Sequence, residues 1–215
     1  MSDPRSADSN SRRFRTTPRP ALFPVFLRLA GRPVLVVGAG RVAASKIPAL
    51  VAARARVTVV APAIHPDIRR LPVRVIRRRF RRADLDGQWF VVSAATSAVN
   101  RSVAKAAENR GVFVNAVDDP ASATAYLGGV VRRDGVTIAI STDGVAPALA
   151  GLLREGVDAL LPGDLARWMQ RARALRRQWR RDAVPMAERR PRLLRALTAI
   201  YSREPRRRRI GGARA

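Results

Sequence analysis

Two stretches of the chain carry residue types that could do chemistry together. One is Gly38-x-Gly40-x-x-Ala43, at the end of Arg32-Pro-Val-Leu-Val-Val-Gly-Ala-Gly-Arg-Val-Ala; the other is Asp118-Asp119-Pro120. Paired glycines allow a tight turn and a close approach of main chain to ligand, and Ala43 keeps the following helix near its strand. The amides that begin that helix point at one spot and suit a pyrophosphate. A carboxylate beside a bound redox cofactor offers a base for proton removal, if its surroundings hold its pKa where the chemistry needs it. Asp-Asp-Pro is also ordinary turn chemistry, and the residues alone leave both readings open.

The flanking elements favour the ligand-binding reading. Val34 to Val37 is a continuous β-branched-rich run, the signature of a strand buried on both faces of a parallel sheet. A helix from Val42 to about Ala53 follows, with Pro48 marking a kink. Further strands are expected at Val57 to Val60, Val73 to Ile76, Trp89 to Ser93 and Val112 to Val114, with a helix from Ser97 to Arg110 that stops at Gly111. This alternation predicts an α/β, Rossmann-like doubly wound sheet. Ala61-Pro62-Ala63, Ala94-Ala95-Thr96 and Asn115 to Asp119 then fall at strand carboxyl ends, where ligands gather. The acid that usually holds a ribose after the second strand is missing: Ala61 and Pro62 stand there, and Asp67 lies past the place.

Beyond Asp119 the period changes. Val130-Val131, Arg132-Arg133-Asp134-Gly135 and the alternating run Val136 to Ser141 describe a hairpin. An isolated hairpin is marginal and has open edges, so pairing with a second subunit is expected. Pro147 to Leu161 reads as an amphipathic helix with Leu149, Leu152, Leu153, Val157, Leu160 and Leu161 on its apolar face. Helical spacing returns from Leu165 to Trp179 and from Leu193 to Ile200. The expected organisation is a disordered basic arm at 1–20, a nucleotide-binding domain at 21–118, a β dimerisation region at 119–148, a helical domain at 149–202 and a disordered basic tail at 203–215.

Charge is the compositional anomaly. Lys and Arg total 42 against 16 acids, a net +26 over 215 residues, and Lys46 and Lys105 are the only lysines. Part of the arginine bias reflects coding-DNA composition; the rest points to a polyanion, whether nucleic acid, membrane surface or polycarboxylate ligand. With no cysteine, disulfides, Cys-ligated zinc, iron-sulfur clusters and a thiol nucleophile are excluded, which fits a cytoplasmic protein. No apolar run reaches membrane-span length, and the Ser- and Arg-rich start lacks the apolar centre of a secretory signal. The single histidine, His65, reads as a polar loop residue, and no metal site is expected.

The residues also carry a family resemblance. Over about Phe23 to Trp179 the chain is similar to the dehydrogenase and ferrochelatase part of siroheme synthase, found also as stand-alone precorrin-2 dehydrogenase. The carriers are the glycine turn, Val59-Val-Ala-Pro, Ala94-Ala-Thr, Val114-Asn-Ala-Val-Asp-Asp-Pro, Ile138-Ala-Ile-Ser-Thr-Asp-Gly-Val-Ala-Pro and Leu152-Leu-Arg-Glu, in order and at matching spacing. The resemblance implies a homodimer that oxidises precorrin-2 to sirohydrochlorin with NAD; some relatives then insert ferrous iron to give siroheme. It places the pyrophosphate on Gly38, Gly40, Arg41 and Val42, the adenosine side on Pro62 and Ala63, and Thr96 at the nicotinamide rim. Asp118 matches the family's functional aspartate, and relatives also commonly lack the acid after the second strand. Arg132, Arg133, Thr142 and Arg154 are the candidates for contact with the polycarboxylate substrate, although Arg132 and Arg133 equally suit an exposed turn. The chain departs from the pattern at Ala121 to Gly129, where many relatives have Cys, Phe and Pro, and at Thr142-Asp143, where fused enzymes have Ser-Gly. Two alternatives stand beside this reading: a catalytically degenerate tetrapyrrole or NAD sensor, and a nucleic-acid-binding protein using its Arg-rich arms. Without a binding motif, and with few aromatics in the basic runs, a nucleic-acid partner is not expected.

Overall fold

The computed structural model describes residues 21–202, so the arms expected at 1–20 and 203–215 lie outside the described residues. Residues 21–29 form no regular element. Order begins with β1 (Pro33–Val37), α1 (Arg41–Ala52), β2 (Arg56–Val60), β3 (Arg74–Ile76), β4 (Phe90–Ser93), α2 (Ser97–Glu108) and β5 (Phe113–Ala116). Short 3-10 turns occupy Pro66–Arg70, Arg82–Leu85 and Pro120–Ser122.

The five strands form one parallel sheet in the order β3-β2-β1-β4-β5, the doubly wound Rossmann-like arrangement the alternation predicted. Both faces of β1 are used, as its unbroken apolar run required. Val34 and Val36 pack with Ala43, Ile47 and Leu50 of α1, whereas Leu35 and Val37 pack with Val103, Ala106 and Ala107 of α2. Helix α1 runs through Pro48, whose ring is exposed.

The register lines up the strand ends. Val60 pairs with Val37, Val37 with Ser93 and Ser93 with Ala116, so the residues just beyond them share one edge of the sheet. The segment after β5 folds back on this layer: the Val114 amide donates to Thr124 Oγ1 at 2.8 Å, and the Thr124 and Ala125 amides donate to the Val114 carbonyl at 2.9 and 3.0 Å. The packed unit therefore extends past Asp118 to Ala125.

The remainder is the antiparallel hairpin β6 (Gly129–Arg133) and β7 (Val136–Ile140), then α3 (Pro147–Leu160), α4 (Leu165–Arg181) and α5 (Met186–Ser202). Helix α3 approaches β6 through Gly129, where a Cβ would lie 2.8 Å from the Ala150 carbonyl oxygen and 3.2 Å from Arg154 Cβ. The apolar face expected on α3 is not what it buries. Ala150 is its buried residue, while Leu149, Leu152, Leu153 and Leu160 stay exposed, Leu160 at 84%. Helices α4 and α5 are joined by a relay in which Trp168 Nε1 donates to Tyr201 Oη at 2.7 Å and that hydroxyl donates to Asp164 Oδ1 at 2.9 Å.

Candidate functional site

The sheet's crossovers diverge between β1 and β4, the switch point at which ligands bind in open α/β sheets. Gly38 leaves β1 with φ +95°, and a Cβ there would sit 2.2 Å from the Ala94 carbonyl oxygen. The glycine thus lets the β1 turn press against the loop leaving β4. Gly40 is the N-cap of α1 with no side-chain cap, and nothing lies within 4 Å of where its Cβ would project. The first bond of the helix runs from the Ala44 amide to the Gly40 carbonyl at 3.0 Å, so the amides of Arg41, Val42 and Ala43 precede its hydrogen-bond ladder. Arg41 and Val42 are exposed and Ala43 is buried. An uncapped helix start beside open space fits the phosphates of a dinucleotide.

The neighbouring loops are fixed around this turn. Ala39 is buried, and its carbonyl accepts the His65 amide at 2.9 Å, docking the loop that carries exposed Pro62 and Ala63. His65 Nδ1 accepts the Asp67 amide at 3.4 Å, so the histidine caps its own short turn. No group of three or more His, Cys, Asp or Glu side chains among the described residues could hold a metal. Thr96 is the exposed N-cap of α2 and makes no side-chain cap bond.

Asp118 lies on the same edge, exposed, with φ 55°, a left-handed conformation that aspartate tolerates better than most residues. Its place is set by a buried residue that sequence reasoning missed. Asn100 Oδ1 accepts from Ser93 Oγ at 2.7 Å and from the Ala95 amide at 3.3 Å, while its Nδ2 donates to the Val117 carbonyl at 3.4 Å. The Val117 amide in turn donates to the Ser93 carbonyl at 2.9 Å. One amide side chain thereby ties the β4 end, the loop bearing Thr96 and the residue before Asp118. The signal available was a polar residue at a buried position of α2, but its partners are set by the tertiary fold. Asp119 is half-buried, and its Oδ2 is enclosed with no hydrogen-bond partner.

Thr142 joins this cluster through its turn. Gly144 abuts Tyr126 and Pro120, with a Cβ position 3.2 Å from Tyr126 Cε1, and Tyr126 Oη donates to the Pro120 carbonyl at 3.2 Å. The half-buried Thr142 accepts the Ala146 amide on Oγ1 at 3.3 Å, just ahead of α3. The arginine candidates are scattered. Arg132 and Arg133 pair with Thr137 and Val136 at the turn end of the hairpin, three and four residues, or roughly 10–13 Å, along the strand from the Gly129 end. The Arg133 guanidinium is held by Asp158 Oδ1 at 2.6 Å and by the Asp158 and Leu161 carbonyls at 2.9 and 3.1 Å, a fastening of hairpin to α3. Arg154 lies beside Gly129 and donates to Glu155 Oε1 at 2.9 Å.

Comparison with known proteins follows the same lines. Residues 25–129 match a family model described as "Putative NAD(P)-binding". The chain is 40% identical over 172 residues to siroheme synthase 1 of Aeromonas salmonicida (strain A449), covering 78% of this chain and 37% of that protein. It is 38% identical over 149 residues to the siroheme synthase of Methylobacillus flagellatus, covering 67% of this chain and 32% of the relative. The chain thus spans about a third of the length of the curated relatives it matches. Among solved structures, SirC, precorrin-2 dehydrogenase, superposes with a TM-score of 0.65 at 27% identity, covering 81% of this chain and 88% of that one. In sequence the chain is homologous to siroheme synthases over about a third of their length, and in fold it matches the precorrin-2 dehydrogenase SirC.

Proposed function

We propose that the chain oxidises precorrin-2 to sirohydrochlorin with NAD. The observation that carries this reading is the meeting, on one sheet edge, of the uncapped Gly40 helix start, Thr96 and Asp118. Oxidation of precorrin-2 removes a hydride and a proton. When bound at the glycine turn, the nicotinamide cofactor supplies the hydride acceptor. The chain's residues do the rest: Gly38, Gly40, Arg41 and Val42 hold the pyrophosphate, Pro62 and Ala63 line the adenosine side, and Thr96 borders the nicotinamide. Holding the two reactants together supplies much of the rate. Asp118 accepts the proton from carbon. Its exposure in the chain alone suits a base that meets a large substrate. The same carboxylate would take protons from pyrrole nitrogens if ferrous iron, as a second substrate, replaces two N–H protons to give siroheme.

Thr142 and Arg154 border the macrocycle in this proposal, through a hydroxyl and a guanidinium that can bond its carboxylates. Arg132 and Arg133 take part only at the far end of the hairpin, Arg133 chiefly as a structural brace. Ala61 to Ala63 present neither an acid for a ribose nor a guanidinium for a 2′-phosphate, and the reading of NAD over NADP rests on the family likeness. The exposed leucines of α3 and the hairpin edges support a homodimer, with 119–148 and α3 forming the contact. A cytoplasmic setting agrees with the absence, among the described residues, of any helix long and apolar enough to cross a membrane.

Asp118→Asn tests the assignment of the base. The variant should fold, bind NAD with unchanged affinity and lose about 10²–10⁴-fold in turnover, the usual worth of a general base. Undiminished turnover would remove Asp118 from its role.

A further inference from the structure

We propose that α4 forms a docking face for the phosphate backbone of a nucleic acid. Coding-DNA composition can choose arginine over lysine, but it does not remove acids, and the surplus of 42 bases over 16 acids needs another cause. Among the described residues α4 carries one of the two dense runs of that surplus, the other lying at 69–82. Arg171, Arg173, Arg176, Arg177, Arg180 and Arg181 on α4 are all exposed, and none has an ion pair or a hydrogen bond within the described residues; Arg190 on α5 is alike. The acids of the two helices and their connection are Asp182 and Glu188, and Glu188 is already paired with Arg192. Elsewhere Arg78 pairs with Asp84, Arg110 with Asp86 and Arg133 with Asp158, while a second run of exposed arginines around β3, Arg69, Arg70, Arg74, Arg77, Arg79 and Arg82, makes no side-chain ion pair or hydrogen bond among the described residues.

The rest of the helix selects among polyanions. The α4 stripe of Leu165, Trp168, Leu175 and Trp179 is turned inward, with Leu165 and Trp179 buried and Trp168 against Tyr201. Helix α4 leaves no large apolar side chain exposed to enter a lipid surface, which an interfacial helix needs; the exposed Met186 and Leu194 lie on α5. An acidic protein partner would want an apolar centre to its interface, and this face offers none. A phosphate backbone requires only cations, and guanidinium binds phosphate oxygens bidentately. At 1.5 Å per residue α4 extends about 25 Å, enough to follow several phosphates. The expectation of no nucleic-acid partner rested on a missing sequence motif and on few aromatics in the basic runs, and contact with a duplex backbone needs neither. The proposal stands apart from the dehydrogenase reading.

The test is fluorescence anisotropy of the full chain with a labelled 30-base-pair duplex between 50 and 200 mM salt. Arg171, Arg173, Arg177 and Arg180 are replaced together by Gln, or by Lys as the charge-keeping control. The intact chain should bind with a steep salt dependence. The Gln variant should lose at least about tenfold in affinity, and its log-log salt slope should shrink by roughly 0.9 for each phosphate contact removed, while the Lys variant keeps most of both. If the fourfold Gln variant unfolds, as judged by its thermal midpoint, Arg177→Gln with Arg180→Gln gives the same reading at about half the slope change. The proposal is overturned by any of three results. The Gln substitutions leave affinity and slope unchanged; Gln at Arg206 to Arg209 alone abolishes binding; or anionic vesicles outcompete the duplex through the same arginines.

Discussion

The sheet layer and the hairpin-helix region spend their apolar residues in opposite ways. In the first, Val34, Val36, Ile47, Val59, Val91, Val92 and Val103 are wholly buried, and the ligand edge is built on that closed core. In the second, α3 leaves four leucines exposed, α4 leaves a row of arginines unpaired, and the hairpin has open edges. The first region is complete as a single chain. The second leaves these surfaces open in the chain alone, and the candidate substrate residues are scattered over it while the candidate cofactor residues share one sheet edge.

Gly38→Ala should break the comparison from the sheet side. A Cβ 2.2 Å from the Ala94 carbonyl oxygen at φ +95° cannot be accommodated without moving the β4 loop. A loss on the order of 3 kcal/mol or more in urea unfolding is expected, together with loss of cofactor binding. Asp84→Ala probes the same layer more mildly. Asp84 is held by Arg78 and accepts the Arg81 amide at 2.8 Å, and the Arg78 hydrogen bond, chief among these, keeps its carboxyl below the ordinary range. Its contribution is therefore complete above about pH 3.9, the usual unfolded aspartate value, and is lost as pH falls through the lower folded value. The variant should lose about 2 kcal/mol at neutral pH and show a flatter stability curve below pH 4 than the parent.

Asn100→Asp sharpens the link between the two halves of the site. It keeps an acceptor for Ser93 and the Ala95 amide but replaces the donor to the Val117 carbonyl with an oxygen. Turnover should fall about tenfold while NAD affinity stays within a factor of two; an equal loss of both would make Asn100 a general structural residue. The smallest stability effect should come from the other region. Leu152→Glu with Leu153→Glu lies on exposed side chains, so monomer stability should change by no more than about 0.5 kcal/mol. Under the proposed homodimer, light scattering should nevertheless show a shift from dimer to monomer. A dimer that survives both charges would remove α3 from the subunit contact.

What the residues made legible follows the same division. The glycine turn, the buried-type run of β1 and the strand-helix alternation announce themselves locally, and the sheet and its carboxyl-edge residues were readable from them. Strand ends shifted by a residue or two: Trp89, placed in β4 by its sequence, lies outside it under the Arg32 guanidinium, 3.9 Å from the ring centre. The unreadable features depend on distant partners. Asn100 meets Val117, and Arg133 meets Asp158, 17 and 25 residues away. The α3 leucines followed a clean helical period, yet period tells which residues share a face, not whether this chain covers it.

The central claim is tested most directly by an anaerobic absorbance assay of the purified chain with precorrin-2 and NAD, then ferrous iron. Appearance of sirohydrochlorin with an equal amount of NADH is the predicted result, and an enzyme-dependent shift to siroheme on adding iron would extend it to chelation. A tetrapyrrole that binds but whose spectrum never changes, with NAD or with NADP, would contradict the account and leave a sensor in its place.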